Sequence, residues 1–293
     1  MSNTLYPYRS LQQTLSLLEV HRLDKYLFLS EKRGGEGRLF GGQVLGQCMN
    51  AALRTVDQGW QCHSMHGYFL RPGRVDIPVI YRVEPSRDGR SFATRRVTGE
   101  QDGKIIFSCG ISFHKEEEGL HHQMDAPEVP GPEGLESWQQ RWARGHEIDP
   151  KRYPGTSLPP VEIRECWPRD LINPAAGEPR AAFWFKTTEA MTDSTIDHQT
   201  MLAYASDLTL LGCAVMAHPY DPDSPEMQCA SLDHGLWFHR PFRVDEWLLY
   251  YQDSPFSGGA RGLSRGSFYT QSGELVASAV QESLIRLVKP PQD

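Results

Sequence analysis

The chain has 293 residues, of which 39% are hydrophobic, 23% charged and 10% aromatic, and its formal net charge is −7. That length fits one large domain or two ordinary ones, and the balance is that of a globular protein. The acidic balance argues against a nucleic-acid partner, and no apolar run approaches the roughly 18 residues that span a bilayer, so no membrane insertion is expected.

Met1 to Val20 lacks a basic region followed by an apolar core, so it does not read as a signal peptide. Leu11, Leu15, Leu17 and Leu18 predict a short amphipathic helix over Ser10 to Val20. His21 to Leu29 alternates loosely, as one strand. A basic, glycine-rich loop, Glu31 to Arg38, leads into Phe40 to Leu53, a buried helix rich in small residues and uncharged until Arg54. Strands are predicted over Cys62 to Arg71, Ile77 to Val83, Ser91 to Thr98 and Lys104 to His114, with Asp88-Gly89 and Asp102-Gly103 as hairpin turns.

Composition shifts after His114. Lys115 to Gly134 holds three consecutive glutamates and three prolines and reads as an exposed linker. A short helix around Leu135 to Arg144 carries Trp138 and Trp142 on one face, placed to pack the linker down. Strands resume at Val161 to Arg164 and Ala181 to Thr187. A buried helix over His198 to Ala217 precedes strands at Met227 to Arg240, Glu246 to Gln252, Arg261 to Thr270 and Leu275 to Leu287, with Ser272-Gly273 as a turn. The six cysteines form no Cys-x-x-Cys pair and predict reduced, buried thiols of a cytosolic protein, with no zinc site. The C-terminus carries no Ser-Lys-Leu peroxisomal address. A helix followed by antiparallel strands is an α+β pattern.

Within Met201 to Ala217 there is no Lys or Arg and one acid, Asp207. A carboxylate in so apolar a stretch is costly unless it is hydrogen-bonded or has a task. On this stretch alone two readings stand: a structural acid, capped by Ser206 or Thr209 or marking a helix start, and a functional one.

The two halves of the chain repeat. Phe69-Leu70-Arg71-Pro72 matches Phe238-His239-Arg240-Pro241 at an offset of 240 − 71 = 169, and Asp102-Gly103 matches Ser272-Gly273 at 273 − 103 = 170. Laying Val44 on Met201, an offset of 157, puts Asn50 on Asp207. The second copy keeps an ionisable group where the first has a neutral amide, which suggests one chemically competent copy and one scaffold copy.

Several stretches in this order resemble the acyl-CoA thioesterase II family of double-hotdog enzymes. They are Phe40 to Val44, His66 to Gly73, Tyr204 to Leu208, Asp233 to Phe242 and Val276 to Glu282. The resemblance covers nearly the whole chain. It implies a double hotdog, two tandem repeats each with an antiparallel sheet wrapped around a central helix. The implied layout is an N-terminal, non-catalytic hotdog over 1–118, a linker over 119–160 and a catalytic hotdog over 161–293. It implies hydrolysis of fatty acyl-CoA to fatty acid and coenzyme A, with no cofactor or metal, and a cytoplasmic homo-oligomer, dimer or tetramer. The family's catalytic Asp falls on Asp207, its Gln on Gln281 and its hydroxyl residue, usually Thr, on Ser231. Ser keeps the hydroxyl but lacks the methyl that fixes the rotamer.

These residue types suit the chemistry. A thioester is already activated, so hydrolysis needs a positioned water, an acceptor for its proton and donors for the developing oxyanion. Asp207 would act as general base, and the Gln281 amide and Ser231 hydroxyl would hold the water. Gly41 and Gly42, at a helix start, are candidate oxyanion donors, and His66 is a further substrate-lining candidate. Arg38, Arg90 and Arg261 are candidates for the coenzyme A phosphates. Gly262-Leu263-Ser264-Arg265-Gly266 fits a nucleophile-elbow pattern but is followed by strand rather than helix. His63 with His66, and Asp233 with His234, read as structural or substrate-lining rather than as metal ligands. Two rivals are a hydratase, which would pair an acid with a His in the helix, and a non-catalytic acyl-CoA binder.

Overall fold

The computed structural model describes residues 8–32, 37–148, 158–170 and 173–288. The first half contains α1 (Leu11–Leu18), β1 (Val20–Asp24), β2 (Leu27–Ser30), α2 (Gly41–Leu53), β3 (Gln61–Phe69), β4 (Ile80–Asp88), β5 (Phe92–Gln101) and β6 (Lys104–His114). After α3 (Trp138–Ile148) come β7 (Val161–Glu165), β8 (Arg180–Thr187), α4 (Thr195–Ser206), α5 (Leu210–Val215), β9 (Met227–Ser231), β10 (Asp233–Phe238), β11 (Leu248–Gly258), β12 (Arg261–Thr270) and β13 (Leu275–Leu287).

Local chemistry starts these elements, α4 three residues before the His198 expected from the sequence. Ser10 caps α1 by accepting from the Gln13 amide, and Ser194 caps α4 by accepting from the Asp197 amide. Asp102 and Gly103 both take positive φ, +49° and +70°, as a two-residue hairpin between right-twisted strands requires. Alternate residues of β5, from Ala93 to Gln101, are buried, so one sheet face meets the core and the other does not.

Among the described residues the strands form one antiparallel sheet in the order β1-β2-β4-β5-β6-β3-β10-β13-β12-β11-β8-β7, with β9 also on β13. Read from its middle outward, the sheet is the same in both directions: β3 matches β10, β6 matches β13, β5 matches β12 and β4 matches β11. At the junction His66 faces Gly235, and 235 − 66 = 169, the offset of the sequence repeat. A pseudo-twofold axis therefore passes through this pair. Inside the curved sheet α2 lies against α4, close enough that a Cβ on Gly42 would sit 2.3 Å from the Tyr204 carbonyl oxygen.

Three expectations need correction. His21 to Leu29 is a hairpin rather than one strand: Asp24 accepts from the Lys25 amide at the turn, and Val20 pairs with Ser30. The buried helix of the second half is broken. It runs from Thr195 to Ser206, interrupts at Asp207 to Thr209, and resumes as α5. The Ser206 carbonyl, which the next turn would have used, accepts instead from the Tyr250 hydroxyl at 2.9 Å, and Gln252 Nε2 donates to Thr209 Oγ1. The strand over Met227 to Arg240 is likewise split at Leu232, whose amide donates to Glu282 O while its carbonyl accepts from Phe69. Both breaks flank the same spot.

The stretch after His114 is irregular, yet it is seated on the second half. Gln123 donates to Gly273 O and accepts from the Leu275 amide, and Trp184 Nε1 donates to Pro130 O. Trp138 meets Phe183 edge-on, so the helix packs onto the sheet as its tryptophan face predicts. Part of the Glu31 to Arg38 loop and residues 149–157 of the linker lie outside the described residues. Among the described residues no helix is long and apolar enough to cross a membrane.

Candidate active site

Asp207 stands at the C-terminal cap of α4, where the helix breaks. Its Oδ2 accepts from the Gly42 amide at 2.8 Å, in the first turn of α2. The start of one copy's helix thus meets the end of the other's. The two glycines make that approach possible: a Cβ on Gly41 would lie 2.6 Å from Asp207 Oδ2. Ser231, the last residue of β9, donates to Asp207 Oδ1 over a long 3.4 Å. Gln281, midway along β13 and fully buried, donates from Nε2 to Ser231 Oγ at 2.8 Å and to Ser283 Oγ at 3.1 Å. Burial pushes the Asp207 carboxyl up to about 7, against the pull of the Gly42 amide and the Ser231 hydroxyl. A carboxylate poised there exchanges a proton near neutral pH.

The carboxylate borders a cleft of about 530 Å³. Leu39, Phe40 and Gly41 form one wall, and Leu208, Leu211 and Met216 another. Trp138, Arg141, Trp142 and Arg169 stand around it. Behind the helix break a small apolar recess, lined by Val161, Ile163, Phe185, Ala205 and Tyr250, shares Phe183 and Leu208 with the cleft. Cys213 and Cys229 also border the cleft, but burial pushes their thiols up to about 12 and about 11, so both are protonated at neutral pH.

The chain as a whole has counterparts among known proteins. Residues 161–284 match the family model described as acyl-CoA thioesterase, and residues 30–114 match that of the acyl-CoA thioesterase N-terminal domain. The chain belongs to the thioesterase II family of acyl-CoA thioesterases. It is 39% identical over 264 residues to acyl-coenzyme A thioesterase 8 of Homo sapiens, covering 86% of this chain and 82% of that protein. It is 33% identical over 280 residues to acyl-CoA thioesterase 2 of Haemophilus influenzae, covering 94% and 98%. The crystal structure of the acyl-CoA thioesterase II TesB2 from Mycobacterium marinum superposes with a TM-score of 0.79 at 40% identity, over 94% of this chain and 99% of that one. The chain is therefore a double-hotdog thioester hydrolase acting on acyl-CoA.

For a thioesterase of this family the residues singled out in the sequence fall into two groups. Asp207, Ser231 and Gln281 come together, with Gly41 and Gly42 against them. His66 does not: it is exposed on the outer sheet face, edge-on to Trp237 at 4.6 Å. Arg38, Arg90 and Arg261 are exposed and outside the cleft lining, and Arg261 lies 3.7 Å from Glu282. The basic residues at the cleft are Arg141, paired with Glu165, and Arg169, which donates to the His218 carbonyl at 3.2 Å. Ser264 lies buried mid-strand in β12, opposite Gln281, with no helix after it. His234, which the sequence reads as structural or substrate-lining, proves to stand directly behind the site. It is 1% exposed and bonds both Gln281 and Ser206. Its sequence signal was its place three residues after Ser231 on a strand beside β13, which pattern alone does not reveal.

Proposed function

We propose that the chain hydrolyses fatty acyl-CoA by direct attack of water, with Asp207 as general base and no acyl-enzyme intermediate. The observation that carries this reading is the buried Asp207 carboxyl, held by the Gly42 amide and the Ser231 hydroxyl at the wall of an open cleft. Once ionised, it has lone pairs left for a water proton. Ser231 Oγ keeps a lone pair for the second proton of that water, and Gln281, donating to Ser231 from behind, holds the hydroxyl in place. The Gly42 amide is committed to Asp207, so the Gly41 amide, one residue earlier in the same turn, is the donor for the thioester carbonyl. The positive end of α2 adds to that polarisation. The apolar lining of the cleft, Phe183, Leu208, Leu211 and Met216, takes the start of the acyl chain, and Arg169 receives coenzyme A phosphate.

The hydratase alternative fits less well, because His234, the histidine beside Asp207 among the described residues, is buried with both ring nitrogens engaged. On the same reading, 1–118 is the scaffold hotdog, 119–160 the linker and 161–293 the catalytic hotdog of a cytoplasmic homo-oligomer in fatty-acid metabolism.

Thiol release from a panel of acyl-CoAs tests this reading. Asp207→Asn and Gln281→Ala should each lower kcat by about 10²-fold or more. Hydrolysis in ¹⁸O-labelled water should place the label in the acid, and hydroxylamine should trap no acyl-enzyme. Near wild-type turnover in both variants would sink the assignment.

A further inference from the structure

One buried residue near the site is unexplained by its chemistry so far. His234 Nδ1 lies 2.8 Å from Gln281 Oε1, and its Nε2 lies 2.9 Å from Ser206 Oγ. Asp207 Oδ1 is 4.0 Å from Nδ1, too far for a hydrogen bond. The imidazole therefore reaches the carboxylate through Gln281 and Ser231, not directly.

Counting hydrogens fixes the direction of this chain. A hydroxyl carries one hydrogen and a primary amide nitrogen carries two. With its Nε2 toward Ser231 and Ser283, the Gln281 amide donates both hydrogens, and the Ser231 hydrogen stays available for Asp207. With the amide turned over, Oε1 would face Ser231 and claim that hydrogen, and Asp207 would lose it. Gln281 Oε1 therefore has to accept from His234, which requires the Nδ1–H tautomer. For the neutral ring to accept at Nε2, the single Ser206 hydrogen points to that nitrogen rather than to the Ala203 carbonyl 3.0 Å away, the other acceptor within its reach. Burial pushes His234 down to about 4, so the ring is neutral at working pH.

The other copy of the repeat shows that the fold does not require this pair. The counterparts are 234 − 169 = 65 and 281 − 170 = 111, and Met65 and Ile111 pair directly across β3 and β6, both fully buried. Two apolar side chains fill the same cross-strand position. A buried histidine and glutamine in the active copy are costly unless bonded to each other and to a purpose.

We infer that His234 is a positioning residue for hydrolysis: its Nδ1–H fixes which way the Gln281 amide faces and so reserves the Ser231 hydroxyl hydrogen for Asp207. This rests on the reading of Asp207, Ser231 and Gln281 given above.

The test is a double-mutant cycle with acyl-CoA as substrate. His234→Leu should lower kcat by about 30- to 100-fold with KM changed less than about twofold. His234→Asn, whose amide can donate from the Nδ1 position, should recover most of that loss. In a Gln281→Ala background, His234→Leu should cost less than about twofold more, because it acts through the missing amide. Fully additive losses, or a His234→Leu enzyme as fast as wild type while Gln281→Ala is crippled, would overturn the inference and leave the catalytic assignment standing. Near wild-type Gln281→Ala would instead remove the assignment beneath it. Should His234→Leu fail to fold, ¹⁵N-histidine NMR of the wild-type protein decides, with His234→Asn identifying the resonance. A neutral Nδ1–H ring from pH 5.5 to 8 is expected, and an Nε2–H ring refutes the proposal.

Discussion

The Gly42 amide donates to the Asp207 carboxylate over 2.8 Å, across 165 positions of sequence. One partner belongs to the N-terminal copy of the repeat and the other to the C-terminal copy, so Asp207 is held by the helix of the other copy. Gly41 and Gly42 are required by distance rather than by backbone twist. In Gly42→Ala the new methyl would meet the Tyr204 carbonyl at 2.3 Å, and in Gly41→Ala it would press on Asp207 itself. Gly41→Ala should lower kcat by about 10²-fold with a smaller loss of stability than Gly42→Ala, whose clash is with backbone. Gly110→Ala, where a Cβ meets nothing within 4 Å, is the control. Thiol-release kinetics and thermal melts on the three variants check this.

Asp207→Asn should be nearly inactive yet more stable than wild type at alkaline pH. Burial raises the Asp207 pKa from 3.8 to about 7. Between those values the native state holds a proton that the unfolded state has released, so stability falls as pH rises through that window. Removing the ionisable group should recover on the order of a few kcal/mol at pH 8 and little below pH 4. The asparagine can still accept from Gly42. Denaturant titrations of both proteins at pH 4 and pH 8 give the difference.

The same carboxyl sets an acid limb. A general base must be ionised, so log kcat/KM should climb with unit slope below pH 7 and flatten above it. In Asp207→Asn the limb should vanish from any residual rate. His234 acts in the opposite sense on stability: its native pKa is pushed down to about 4, so stability is lost as pH falls from its ordinary value near 6.5 through 4. The enzyme should therefore lose turnover before it loses structure on acidification, which parallel rate and circular-dichroism measurements would resolve.

Arg169 borders the cleft and donates to the Ala175 and His218 carbonyls, with Asp221, on the same cleft, as the carboxylate that acts on its charge. Arg169→Ala should raise KM for acyl-CoA by about tenfold with little change in kcat, since phosphate contact is far from the reacting carbon. With an acyl-pantetheine thioester, which lacks the nucleotide phosphates, the KM effect should disappear. Equal effects on both substrates would remove Arg169 from the coenzyme A site.

Phe183 borders both the cleft and a recess of about 10 Å³ lined by Val161, Ile163, Phe185 and Tyr250, so removing its ring would enlarge the apolar space on that side. Phe183→Ala should shift the preferred acyl chain to greater length, seen as a rise in kcat/KM for long chains relative to short ones. The packing lost against Trp138 should lower Tm by a few degrees.

Much of this was legible in the sequence because it rests on short-range chemistry. Asp102-Gly103 specified a hairpin because few residues tolerate two positive φ angles in a row. The repeated Phe-x-Arg-Pro stretches identified two copies before any strand was paired. The breaks at Asp207 and Leu232 were not legible, because both are imposed from across the sheet. Tyr250 and Gln252 interrupt the helix, and Glu282 with Phe69 turns the strand. A helical pattern of apolar residues continues through Asp207 whether or not a distant hydroxyl has taken the carbonyl before it. His66 misled for the converse reason: strand alternation puts it outside, and which face was inward depended on the junction with β10.

By itself the sequence determined the two copies, their α+β order and the family, since repetition and turn chemistry are local and survive reading in one dimension. The tertiary structure alone decided that Asp207 ends a helix rather than riding within one, that Gly42 of the other copy holds it, and that His234 stands behind Gln281. Of those facts the Gly42 bond crosses between the copies and the other two join distant strands and helix within one copy, and hydrogen bonds between residues more than forty positions apart leave no period in the chain.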